Sequence, residues 1–436
     1  MLDMPMPVTN VQSKILESGE SIFPVSLTII ELYLFMSLKI KNIGTLVTYN
    51  SSSAKLEEFT NQEILISDGR IEKIGNDIGD AEQEVDASGG LVTPGFVDSH
   101  THPVFTDLRE EEFAMRTAGK SYQEIAAEGG GILSTVRGVR DASEDVLEEK
   151  VVRRLNQFLA LGTTTVEAKS GYGLSVKDEL KSLKAIKKAG ERSNVDVVLT
   201  FLGAHDFPAE YRERKDEYVS LVCEEMIPTV AEENLAEFCD VFCENGWFDV
   251  EQSRKILVTA ADYGLKSRLH ADEFEDSGAA SLAAELRAAS ADHLMHVSDE
   301  GLVKMKEAGV VATLLPGTTF FLGKSEYAPA RKILDSDITV ALATDYNPGS
   351  CFIQSMPIIM NLACLHLDMT VEEVFQAATF GGASALLRQD SVGSIEVGKQ
   401  ADLVIWDLEE LPEIAYRAEE SRIQKIIKSG ELVNKL

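Results

Sequence analysis

The sequence predicts an α/β protein, a (β/α)8 barrel of the TIM type joined to a small β-sandwich domain built from both chain ends. Three observations predict it. Eight short apolar runs alternate with stretches of helical periodicity through the middle of the chain, the pattern of βα units around a parallel sheet. Short alternating strands with turn signals occupy both ends, roughly 300 residues apart, and such strands need a common sheet to be stable. Side chains capable of chemistry end several of the eight runs, where a barrel carries its active site.

Residues 1–35 form an N-terminal extension of unassigned role, either an upstream-start segment or an extra piece that packs on the small domain. Its apolar run "FPVSLTIIELYLF" (Phe23 to Phe35) is too short to span a bilayer and contains Glu31. Glu17 and Glu20 stand where a signal peptide carries positive charge, and no small-residue cleavage site follows. Residues 36–92 and 388–436 read as the sandwich, with "SDG" (Ser67 to Gly69) marking a hairpin turn and "GSIEVGKQADLVIWDL" repeating the style near the other end. Residues 93–387 read as the barrel. Its strand candidates are "LVTPGFVDSHTH", "GTTTVEAK", "VDVVLTFLGAH", "DVFCENG", "KSRLHADE", "SADHLMH", "GVVATLLPG" and "ITVALATDYNP".

A length of 436 residues suits such a barrel with an appendage, and an apolar fraction of 44% fills a large core. The formal charge of −31 repels phosphate backbones and anionic lipid, which excludes nucleic acid and membrane surfaces as partners. Five scattered cysteines, an odd number without paired spacing, read as a reduced set and predict a cytoplasmic protein. Cys239 and Cys243 have a spacing that suits a metal, but "EFCDVFCENG" reads as a helix end running into a buried strand, where free cysteine is a small hydrophobe.

The chemistry gathers at strand ends. The first candidate strand ends in His100-Thr101-His102, and residues two apart on a strand face the same side. His205 ends the third, His270 the fifth, His293 the sixth and Asp345 the eighth. Zinc and iron(II) favour imidazole and carboxylate ligands, with one position left open for water in a catalytic site. One His-x-His pair is a weak signal. Convergence of five of the seven histidines on one barrel face is a strong one, and His296 and His366, placed elsewhere, read as structural.

"TPGFVDSHTH" with the later histidines and Asp345, and the tail "GSIEVGKQADLVIWD", resemble the amidohydrolase superfamily from about Met36 to Leu436. The stretches "HTHPVF", "AEGGGILSTVRGVRDASED", "KSGYGL", "TFLGAH", "LHADEF", "SADHL", "LLPG" and "ATDYNPGS" are similar to its imidazolonepropionase family. The resemblance implies His100, His102, His270 and Asp345 as ligands of one zinc or iron ion per chain. It implies Arg109, Tyr172, His205, Glu273, Asn347, Gly349 and Ser350 as substrate-contacting positions. The implied substrate is a small molecule, 4-imidazolone-5-propanoate, hydrolysed to N-formimidoyl-L-glutamate in histidine degradation; a homodimer is compatible with it. Pro103 after the histidine pair and Tyr346 between Asp345 and Asn347 depart from the family pattern without removing a functional group, though Tyr346 bears on pocket width.

Hydrolysis of a ring amide needs a group that takes a proton from water and gives one to the leaving nitrogen. Glu273, His293 and Asp345 are the candidates, and the sequence does not rank them. Several residues carry a second, plainer reading. Arg109 in "DLREEEFAMR" could pair with its acidic neighbours, and Tyr172 could be an edge packing group in its turn. "EGGGI" (Glu128 to Ile132) lacks the Lys-Ser/Thr of a phosphate loop and reads as a lid. Lys169, which a bridging two-metal site would carboxylate, reads as structural. A mononuclear nucleobase deaminase is the rival enzyme; a non-catalytic scaffold would have lost the ligands this sequence keeps.

Overall fold

A computed structural model describes residues 37–120, 124–125 and 129–433. The extension expected over residues 1–35 lies outside the described residues, as do Met36 and Glu128 of the glycine-rich stretch.

Seven strands come first: β1 (Leu38–Lys41), β2 (Thr45–Asn50), β3 (Lys55–Thr60), β4 (Glu63–Ser67), β5 (Arg70–Gly75), β6 (Gln83–Asp86) and β7 (Leu91–Pro94). The barrel strands follow: β8 (Phe96–Asp98), β9 (Thr163–Lys169), β10 (Asp196–Ala204), β11 (Phe238–Cys243), β12 (Lys266–Ala271), β13 (Ser290–His293), β14 (Val311–Leu314) and β15 (Val340–Leu342). Three more close the chain: β16 (Leu403–Trp406), β17 (Ile423–Lys428) and β18 (Glu431–Leu432).

The two ends meet as the sequence predicts. A four-stranded sheet runs β5-β4-β1-β6 and a six-stranded sheet runs β18-β17-β16-β7-β2-β3. In the second sheet Val404 pairs with Thr93, joining strands more than 300 residues apart. Ile40, Ile64 and Ile66 from the first sheet and Leu46, Val92 and Leu403 from the second share one apolar core. The β4–β5 hairpin turns on Asp68 (φ 52°) and Gly69 (φ 72°), the doubly left-handed turn that matches strand twist.

Each of the eight barrel candidates supplies a strand to a single sheet of order β8 through β15, with every neighbouring pair in that order parallel. The first candidate needs correction. It is not one strand: the chain changes sheets at Gly95, whose N–H donates to Asp402, so β7 joins the small sheet and β8 the barrel. A Cβ on Gly95 would sit 2.3 Å from the Thr164 hydroxyl, so only glycine fits this crossing. His100 and His102 therefore lie beyond the last residue of β8. There the chain closes the cylinder against the segment after β15, through a bridge between Thr101 and Tyr346. The Asp345 N–H donates to His100 at 3.0 Å and the His102 N–H to Tyr346 at 2.9 Å.

Outer helices follow from periodicity and caps. Helix Glu144–Ala160 starts at Ser143, whose side chain accepts from Val146, and buries Leu147, Val151, Leu155 and Phe158 along one stripe. Helix Val250–Asp262 opens with a capping box between Asp249 and Gln252. Cys239 and Cys243 both lie in β11 and are fully buried in the core, so the structural reading holds. Among the described residues, no helix is long and apolar enough to cross a membrane.

Candidate metal centre and active site

The strand ends bring the predicted side chains together at the mouth of the barrel. His100 Nε2 lies 3.2 Å from His102 Nε2, confirming that the two rings face one side. Asp345 Oδ1 is 3.4 Å from His102 Nε2 and 3.7 Å from His100 Nε2. His270 and His293 complete the ring, their centroids 4.6 and 5.6 Å from that of His100. Ligand atoms of His100, His102 and Asp345 lie within 4.8 Å of one another, as do those of His100, His270 and His293. His293 (φ 78°) and Asp345 (φ 51°) hold left-handed backbone, which costs of order 1–3 kcal/mol per residue and is retained where surrounding structure dictates it.

Carboxylates stand behind this ring. Asp292 accepts a hydrogen bond from His100 Nδ1 at 2.7 Å and another from Arg268 at 3.1 Å. Asp240 takes the His270 Nδ1 proton at 3.1 Å, and its other oxygen pairs with Lys169 at 2.9 Å. Lys169 pairs in turn with Glu167 at 2.7 Å. All five charged groups are fully buried. Burial alone would raise the Asp240 carboxyl, but His270 and Lys169 outweigh it and hold it well below the usual range. Burial likewise opposes the Lys169 charge, yet Asp240 and Glu167 keep its pKa raised. Lys169 is thus an ammonium engaged by two carboxylates, in line with its structural reading. With its Nδ1 proton directed to Asp292, His100 turns a bare Nε2 inward, while at His270 burial is outweighed by Asp240, which raises its pKa. Burial and neighbouring cationic groups push the His100 and His102 pKa values well down, so both rings are neutral, as ligands must be. Among the described residues, the buried His102 Nδ1 has no hydrogen-bond partner. This donor set of imidazoles and one carboxylate can hold a divalent cation.

A cavity of about 610 Å³ opens over the ring. Every predicted site residue borders it except His100, which lies beneath. Glu273 sits with Oε2 3.7 Å from His293 Nε2. Burial, with the Asp345 charge adding to it, pushes the Glu273 carboxyl up to about 7, while burial pushes His293 down to about 4. Tyr172 rides on a turn held by Glu179, which accepts from the Gly171, Gly173 and Leu174 N–H groups at 3.0, 2.7 and 2.8 Å. The Tyr172 ring lies 5.2 Å from His205, whose Nδ1 is 3.0 Å from the Gly171 carbonyl. Asn347 spends its amide on its own loop: it donates to the Asp345 carbonyl at 2.7 Å and accepts from Gly349 and Ser350 at 2.8 and 2.7 Å. Arg109 combines its two readings, because it borders the cavity and also pairs with Glu112 at 2.6 Å. His296 lies 3.9 Å from Glu326 and His366 stacks on Tyr327 at 4.7 Å, both away from the site as expected.

Sequence reasoning missed the charged layer and one wall. Asp240 was visible as a charge inside the otherwise apolar strand β11, whereas Glu167, Arg268 and Asp292 lie in strands of mixed polarity. Phe242, Trp247 and Phe274 form an aromatic wall, with centroids 5.2 and 5.4 Å apart. They lie at or just past the ends of β11 and β12, where the barrel rule points but no motif does.

A model of the amidohydrolase family matches residues 91–433. The chain is 48% identical over 417 residues to an imidazolonepropionase of Geobacillus sp. (strain WCH70), covering 91% of this chain and 98% of that one. It is 46% identical over 410 residues to an imidazolonepropionase of Clostridium tetani, covering 91% and 98%. Among solved structures it is similar in fold to a zinc-bound adenosine deaminase from Xanthomonas campestris, with a TM-score of 0.70 and 18% identity over 91% of this chain and 92% of that one. Guanine deaminase of E. coli is similar at a TM-score of 0.69 and 17% identity, over 93% and 100%.

Proposed function

The chain belongs to the imidazolonepropionase family of amidohydrolases, and on that premise we propose that it hydrolyses 4-imidazolone-5-propanoate to N-formimidoyl-L-glutamate. What carries this reading is the convergence of four imidazoles and Asp345 beneath a cavity that also holds an arginine.

His100, His102, His270 and Asp345 would hold one zinc or iron ion per chain, which when bound acidifies a water and polarises the lactam carbonyl. The side chains do the rest. Glu273, with its carboxyl near 7, exists in both forms at neutral pH and suits the proton's transfer from water to the ring nitrogen that leaves. The bond from carbonyl carbon to that nitrogen breaks as the water oxygen joins the carbon. Neutral His293 faces the same space and offers a hydrogen bond to the carbonyl oxygen. Asp345 is steadied for ligation by the Thr318 hydroxyl at 2.5 Å. Arg109 and Tyr172 would hold the propanoate. A cytoplasmic setting suits the five cysteines, all free thiols.

The direct test is metal analysis of the purified protein together with an assay on the imidazolone acid. Arg109→Met should lower kcat/KM by roughly ten- to more than a hundred-fold, the worth of a hydrogen bond to a charged group, with metal content unchanged. The unaltered protein should release little ammonia from guanine, cytosine or adenosine. Rapid release insensitive to Arg109→Met would move the assignment to a deaminase.

The carboxylates behind the ring give a second expectation. Asp240→Asn and Asp292→Asn should each weaken metal retention about 10–100-fold, because the imidazoles they orient lose their fixed proton. Competition against a chelator of known affinity measures it; unchanged retention would make these carboxylates structural only.

A further inference from the structure

We propose that Glu112 and Gly349 are positioning residues that bracket the Arg109 guanidinium and so set where an anionic substrate tail is held. The proposal rests on the reading of Arg109 as the carboxylate contact.

Glu112 is the fixed jaw. Its Oε2 lies 2.6 Å from Arg109 Nη2. Its Oε1 accepts from the Gly131 N–H at 3.0 Å and the Ser134 hydroxyl at 3.3 Å. Gly131 is the N-cap of helix Ile132–Asp141, and Glu112 binds its backbone N–H from another segment, the bond that the carboxylate of a capping box makes. One carboxylate therefore ties Arg109 to the start of a helix.

Gly349 is the opposite jaw. A Cβ built there would lie 2.1 Å from Arg109 Nη1 and 2.7 Å from its Cζ, so the guanidinium rests directly over the Gly349 backbone. That backbone is itself referenced to a metal-ligand candidate: Gly349 donates to Asn347 Oδ1 at 2.8 Å, and Asn347 Nδ2 donates to the Asp345 carbonyl at 2.7 Å. Arg109 is thus held between a helix start and the loop that leaves Asp345. Its Nη1 makes no hydrogen bond to a described residue, and the side chain borders the cavity. A long, rotamer-rich side chain held in advance loses less freedom on meeting its ligand.

The family resemblance makes Gly349 a substrate contact; the geometry assigns it an indirect role through Arg109. It also separates two views of Glu112. If Glu112 only neutralised Arg109, removing its charge would strengthen anion binding. If it positions Arg109, a change that keeps the charge but shortens the reach must weaken binding.

The test uses the metal-loaded full chain and the variants Gly349→Ala and Glu112→Asp, alone and with Arg109→Met. Each single change should raise KM for the imidazolone acid about ten-fold or more, with kcat within about three-fold. Each should also raise the inhibition constant of 3-(imidazol-4-yl)propanoate far more than that of its neutral carboxamide. In the Arg109→Met background neither should add anything, because neighbours acting through one group are not additive. Glu112→Asp keeps a carboxylate for Gly131, so it carries the test if Gly349→Ala melts early or loses metal. A wild-type KM in Glu112→Asp, or full additivity with Arg109→Met, would overturn the positioning role alone. An Arg109→Met enzyme with unchanged KM would remove the carboxylate reading and the proposal with it.

Discussion

His270→Ala should abolish turnover and metal retention together, and a chelator should do the same to the unaltered protein. The His270 ring joins the inward-facing cluster with its Nδ1 held by buried Asp240, so its loss removes both a donor and the contact that orients it. Removing the ring also strips Asp240 of a partner in a buried network that includes Lys169, so some loss of melting temperature should accompany the loss of metal. Added zinc or iron should restore the chelated wild type and not the variant. Two tightly held ions per chain, bridged through Lys169, would contradict the one-ion arrangement.

Glu273→Gln should lower kcat by ~10²–10⁴, the range for a lost general acid or base, while metal content stays near normal. His293→Asn should cost less. The difference follows from environment: burial pushes Glu273 up to about 7, where it can both take and give a proton, and pushes His293 down to about 4, where it stays neutral. Single-turnover rates and metal content for both variants decide between them. A near-wild-type kcat in Glu273→Gln would remove it from the chemical step and pass the proton to Asp345 or His293.

The barrel was legible because its strands are short apolar runs whose ends are polar, and both properties are local. The same logic located His100, His102, His205, His270, His293 and Asp345. The crossing at Gly95 was not legible, since one continuous apolar run serves two sheets and only the partner strands β16 and β9 divide it. The charged layer was half-legible: Asp240 stands out inside an apolar strand, but its partner Lys169 and the Arg268–Asp292 pair meet only across neighbouring strands. Arg109 and Glu112, three residues apart, could be paired from sequence; the approach of Gly349 to that guanidinium could not, because it depends on where two distant loops meet.

The joint that closes the barrel gives the enzyme a particular way to fail. Neighbouring barrel strands are held by at least three paired residues, whereas β8 and β15 meet through their extensions at the Thr101–Tyr346 bridge, helped by two bonds from Thr344 to the Asp98 carboxylate. His100, His102 and Asp345 all sit on that joint. Local opening there would scatter these donors without requiring any other strand pair to part. Working lifetime should then follow local opening of this joint more closely than the global stability of the sheets, which inactivation rates measured beside melting temperatures would check. Effort spent reinforcing the small domain or the outer helices would raise the melting temperature and leave the rate of inactivation where it was.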